Sequence, residues 1–105
     1  MVIHINKNNF EQEILKSDMP VLLDFSATWC GPCKMVGPIV ESMAEDYKGK
    51  AKIAKLDIDE SAELAMKFGV MSVPTLMFFK EGKMVDKVIG AVPKTELSAK
   101  MNHLL

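Results

Sequence analysis

Along this chain apolar and polar positions group into short runs whose period changes from one run to the next. "VIHI" is a short candidate strand, and "NNFEQEILKSD" follows it with an asparagine cap signal and with Phe10 and Ile14 on one helical face. Pro20 to Ala27, "PVLLDFSA", is a continuous apolar run too short for a buried helix, which suits a central strand covered on both faces. Asp24 stands oddly in its middle. From Cys33 to Tyr47 the residues Val36, Ile39, Val40, Met43 and Tyr47 recur at three- and four-residue spacing, predicting a long amphipathic helix stopped at Gly49. Pro38 lies inside it and predicts a kink, because it removes one backbone hydrogen bond and crowds the preceding turn. Ala51 to Ile58 reads as a strand and "ESAELAMKFG" as a short helix stopped at Gly69. "TLMFFK" and "MVDKVIG" flank Glu81-Gly82-Lys83, a tight turn that predicts an antiparallel hairpin. A last helix runs from about Lys94, with Leu97, Met101 and Leu104 on one face. The order β-α-β-α-β-α-β-β-α predicts an α/β protein with a mixed central sheet and helices on both faces.

Composition narrows this without redirecting it. A chain of 105 residues has room for one modest core, so one domain over residues 1–105 is expected, and a hydrophobic fraction of 49% is ordinary for such a domain. The net charge of -1, from 13 basic and 14 acidic residues mixed along the chain, offers no basic stripe to nucleic acid and no polybasic patch to an anionic membrane. "MVIHINKNNF" lacks the features of a secretory signal, and the longest apolar run, "VMSVPTLMFF", is interrupted by Ser72, Pro74 and Thr75. A cytosolic protein is the expectation, and nothing in the chain demands more than a monomer.

Chemistry concentrates in "TWCGPCK", Thr28 to Lys34, which holds the only tryptophan and the only two cysteines. The thiols are a structural staple, half of a metal site, or reagents. In a reducing cytosol a lasting staple is disfavoured, and two cysteines are too few for a disulfide scaffold. A metal site fares badly, since His4 and His103 lie at opposite chain ends without the H-x₃₋₅-H spacing of a zinc finger. A C-x-x-C pair between a strand and a helix is what a reversible disulfide requires. Cys30 falls just before the helix, where unpaired N–H groups and the positive dipole end favour a thiolate, so it is the expected nucleophile and the more exposed of the two. Cys33, one turn in, should be more buried and suited to attack Cys30 once a mixed disulfide has formed. Gly31 permits a tight approach, and Pro32 favours a helix start. Lys34 adds a little positive potential or is simply an exposed helix lysine. Asp24 is either an exposed carboxylate on an edge strand or, as the surrounding apolar run argues, a buried one with a raised pKa.

At these residues the chain resembles the thioredoxin family, and the likeness covers essentially its whole length. It is carried by "DFSATWCGPCKMVGPIVESMAEDY", "AKLDIDE", "FGVMSVPT" and "VIGAVPK", in the family's order and spacing, and most closely by the bacterial-type members with a CGPC site. The resemblance implies a five-stranded mixed sheet flanked by four helices. It also implies that Asp24 accepts a proton from Cys33, and that Lys55 neighbours Asp24 and moderates its charge. Pro74 is expected to be cis and to face the disulfide, with the Val73 backbone pairing with bound substrate in the manner of a strand. Gly90 and Ala91 match a small-residue stretch that lets a partner approach. Trp29, Pro32, Val73 and Ala91 would then form a flat docking patch, with Met71 close enough to touch partners.

Ser26 departs from the pattern, standing where bacterial-type members usually carry a tryptophan. The implied activity is reduction of protein disulfides with no bound cofactor or metal. Electrons would come from NADPH through a flavin-dependent thioredoxin reductase, or from a ferredoxin-linked equivalent. Two rivals remain at this point: an oxidase or isomerase on the same fold, disfavoured by Gly31-Pro32 between the cysteines, and a binding module that keeps its thiols incidentally.

Overall fold

Strand alternation explains the centre of the molecule. In a computed structural model describing all of Met1–Leu105, β2 (Val21–Ser26) is buried at every position. It lies between β3 (Lys52–Asp57), parallel, and β4 (Thr75–Lys80), antiparallel. β1 (Ile3–His4) extends the parallel side and β5 (Lys83–Ile89) the antiparallel side, giving the order β1-β3-β2-β4-β5. The sheet is therefore mixed and five-stranded, as expected, and Asp24 sits on its central strand rather than at an edge.

Two apolar layers follow from the period of two. Leu22, Ile53, Leu76 and Phe78 pack on one face against Val36, Val40, Met43, Leu97 and Met101. These last come from α1 (Gly31–Asp46) and α3 (Lys94–Leu104). Val21, Leu23, Phe25, Leu56, Met77 and Phe79 pack on the other face against Phe10, Ile14, Leu64 and Ala65, from a short wide helix at Glu11–Leu15 and from α2 (Ala62–Lys67). Phe68 stacks its ring near Phe10, Phe25 and Phe79, closing this second layer.

Several boundaries differ from the sequence reading. The first helix is confined to Glu11–Leu15 and closes with an i→i+5 bond from the Lys16 N–H to the Glu11 carbonyl. Its asparagines do not cap it. Asn9 Oδ1 instead accepts the Asn6 N–H at 2.8 Å and Asn9 Nδ2 donates to the His4 carbonyl, so the side chains build the preceding turn. α1 starts two residues earlier than the apolar period suggested, because Gly31 and Pro32 supply its first turn, and it continues across Pro38. In the hairpin Lys83 belongs to β5, leaving a two-residue turn with positive φ at both Glu81 (53°) and Gly82 (79°). The pairing Phe78↔Asp86 followed by Phe79↔Met84 leaves Val85 as the extra residue of a bulge.

Candidate active site

The site forms where β2 ends and α1 begins. Cys30 occupies the N-cap of α1 in an extended conformation, and its Sγ accepts the Cys33 N–H at 3.1 Å, satisfying one of the helix's unpaired donors with sulfur. Cys30 and Cys33 are joined in a disulfide, their Cα atoms 5.3 Å apart. Both cysteines are buried, at 4% and 5% exposure, which corrects the expectation that Cys30 would be the more exposed of the two. The reason is local packing: Ala27 lies beside the pair, and Ile58 and Val73 close over it. The asymmetry between the two appears instead in what each faces. Cys30 lines an open groove of about 430 Å³ with Trp29, Gly31, Pro32, Ile58, Val70, Met71, Ser72 and Val73, whereas Cys33 does not.

The opposite wall of that groove comes from the loop before β4. The Val73–Pro74 peptide is cis, and the Val73 carbonyl oxygen lies 3.6 Å from Cys30 Sγ. Thr75 Oγ1 donates to the Ser72 carbonyl at 2.6 Å, and the Gly90 N–H donates to the Pro74 carbonyl at 2.8 Å, so both ends of the loop are tied down. Pro74 itself is buried. Ala91 is exposed and lines a second apolar groove of about 340 Å³ with Met35, Val36, Ile39, Val92 and Pro93. Of the residues expected to form one docking patch, Trp29, Pro32 and Val73 line the first groove with Met71, and Ala91 lines the second.

Asp24 lies on the face of β2 that α1 covers, the same side as Leu22. It is wholly buried, neither carboxylate oxygen has a protein hydrogen-bond partner, and burial pushes its pKa from 3.8 up to about 6. Lys55, half-buried and directly opposite in the β2–β3 register, pulls the other way without overcoming desolvation. Lys34 is exposed. Ser26, at 3% exposure, accepts the Ile58 N–H through its backbone carbonyl at 2.9 Å, and Ile58 is the side chain that packs beside the cysteines at this level. No three His, Cys, Asp or Glu side chains converge on a common point that could hold a metal ion.

The sequence reading missed Asp59, whose Oδ2 accepts the Trp29 indole N–H at 2.9 Å. Trp29 is otherwise 67% exposed, so this bond orients a ring that packing alone leaves free. Asp59 reads as one carboxylate among several in "LDIDE", and only the parallel pairing of β2 with β3 brings it to the active-site loop.

Comparison with known proteins agrees with this geometry. The family described as thioredoxin matches residues 1–103. The chain belongs to the thioredoxin family. It is 53% identical over 94 residues to thioredoxin 1 of Nostoc sp. (strain PCC 7120), covering 90% of this chain and 88% of that one. It is 51% identical over 95 residues to thioredoxin of Chlorobaculum thiosulfatiphilum, at 90% and 88% coverage. Over 104 residues it is 46% identical to thioredoxin of Porphyra purpurea, covering 99% of this chain and 97% of that one. Thioredoxins are thiol–disulfide oxidoreductases that act on disulfide-containing substrates and are recharged by a reductase, and this thioredoxin-family chain carries the redox-active disulfide of that activity at Cys30–Cys33. No helix is long and apolar enough to cross a membrane.

Proposed function

We propose that the chain works as a cytosolic, monomeric protein-disulfide reductase in which each of the residues above has a distinct task. The observation that carries this reading is the position of Cys30: its sulfur caps a helix N-terminus, accepts the Cys33 N–H, and faces the apolar groove beside the Val73 carbonyl. In the reduced state the same N–H and the positive end of α1 stabilise a Cys30 thiolate. A client disulfide docks in the groove, where Trp29, Pro32 and Met71 supply apolar contact and the Val73 backbone pairs with an extended client segment. Gly90, bonded to the Pro74 carbonyl, and Ala91 add a small-residue approach for the client. Cys30 attacks one client sulfur and expels the other as a thiolate, forming a mixed disulfide. Cys33 then loses its proton to Asp24, whose raised pKa suits a proton acceptor near neutral pH, and attacks Cys30. Lys55 holds the Asp24 charge within reach of neutrality.

The client leaves as a dithiol and the pair returns to the disulfide, two electrons having moved to the client. Exchange needs no bound cofactor. Electrons return from NADPH through a thioredoxin reductase or from a ferredoxin-linked one. The test is insulin reduction followed by turbidity, with dithiothreitol and then with NADPH and a reductase as donor. Acceleration by the parent and none by Cys30→Ser is expected. Equal acceleration by Cys30→Ser would overturn the reading, and a redox potential above that of glutathione would turn it into an oxidase.

A further inference from the structure

Met71 is the most exposed large hydrophobic side chain of the chain, at 95%, and it stands in the wall of the groove that Cys30 lines. The other strongly exposed methionines, Met1, Met35, Met66 and Met84, lie outside that groove, while Met43, Met77 and Met101 are fully buried. A thioether in open water is a two-electron reductant toward peroxides, and its sulfoxide is polar and demands a hydrogen bond. The groove has little to offer such an oxygen. Pro32 has no N–H, the Trp29 indole N–H is already given to Asp59, and Ile58, Val70 and Val73 are apolar, which leaves the exposed Ser72 hydroxyl as the one remaining side-chain donor.

We propose that Met71 is a peroxide-sensitive modification site that sets how tightly the groove holds apolar client segments. Hydrogen peroxide transfers one oxygen atom to the Met71 sulfur, which loses two electrons, and the peroxide leaves as water. The sulfoxide oxygen keeps its own hydration, so a client that would cover Met71 must either strip that water or leave a gap. Docking weakens while Cys30, Cys33 and their exchange chemistry are unchanged. This rests on the groove being the client-docking surface.

The experiment treats the disulfide form, whose cysteines are shielded, with hydrogen peroxide, removes the oxidant with catalase, and maps methionine oxidation by peptide mass spectrometry. Insulin reduction is then measured with dithiothreitol as donor, so that no reductase docking enters. KM is expected to rise roughly three- to tenfold with kcat retained, the worth of one apolar contact replaced by an unpaired polar oxygen. Met71→Leu, treated identically and compared with its own untreated sample, should hold its KM although Met35 and Met66 are oxidised. Complete conversion of Met71 with no change in KM overturns the proposal, as does an equal rise in Met71→Leu. An untreated Met71→Gln separates this from the docking reading. If it leaves KM unchanged, the groove does not dock clients through Met71. If it raises KM while peroxide spares Met71, docking stands and the modification alone is overturned.

Discussion

Asp24 is the residue at which burial and chemistry conflict most directly. Its carboxyl binds a proton more tightly in the folded chain than in the unfolded one, with a pKa of about 6 against 3.8. The group therefore favours the fold below about pH 4, and that contribution is lost as the pH rises from about 4 through about 6. Two pH units correspond to about 3 kcal/mol. Asp24→Ala should accordingly be more stable than the parent by about 2 kcal/mol at pH 7, a small void offsetting part of the gain, with the advantage gone near pH 4. Urea midpoints at both pH values measure this. The same variant should resolve mixed disulfides more slowly, and reduced stability with unchanged turnover would contradict both statements. Trp29 supplies a second reading at this scale. As the chain's one tryptophan, lining the groove with Cys30, its fluorescence should change when dithiothreitol opens the disulfide. An unchanged spectrum alongside a full thiol count would separate the ring from the redox centre. The cysteines and Asp24 were legible because their information is local: a spacing of three, and a charge inside an apolar run. The Trp29–Asp59 bond was not, because thirty residues separate its partners.

Among the elements, the β4–β5 hairpin carries the sharpest demand on residue type. Gly82 has φ of 79°, and a Cβ built there would lie 2.8 Å from the Leu15 carbonyl oxygen, a backbone atom that cannot swing aside. Gly82→Ala is expected to cost about 2 kcal/mol or more, from left-handed strain plus the clash. Glu81, also in the left-handed region at φ of 53°, should accept Asn with a gain of a few tenths of a kcal/mol. Chemical denaturation of the two variants gives opposite shifts if this turn geometry holds. The clash also explains why the hairpin was legible as a turn but not as a contact. A turn follows from Glu81-Gly82-Lys83 between two strands, whereas the positive φ of Glu81 belongs to the two-residue turn seen in the structure, and the approach to Leu15 depends on where the first helix ends. That helix was the least well delimited of all. Five residues with an i→i+5 closure give too little periodicity to fix its bounds, and the asparagines that suggested a cap bond to the chain before it.

For the molecule as a whole, a net charge of -1 and an apolar groove at the reactive sulfur imply recognition without electrostatic steering. Insulin reduction should therefore change less than about twofold between 50 and 500 mM salt, a range over which the screening length falls severalfold. A steep decline would point to charged contacts away from the groove. Period, punctuation and charge sufficed to specify the element order, the central place of β2, the reagent character of Cys30 and Cys33 and the burial of Asp24. Each of these follows from neighbours in the chain: a strand's alternation, a helix's repeat, a thiol next to unpaired N–H groups. Folding added what depends on distant segments meeting. It buried both sulfurs beneath Ile58 and Val73, set the Val73 carbonyl against Cys30, tied Gly90 to the Pro74 carbonyl, and turned Asp59 toward Trp29. Those relations come from the order in which the strands pair and the register they adopt, and no run of consecutive residues encodes either.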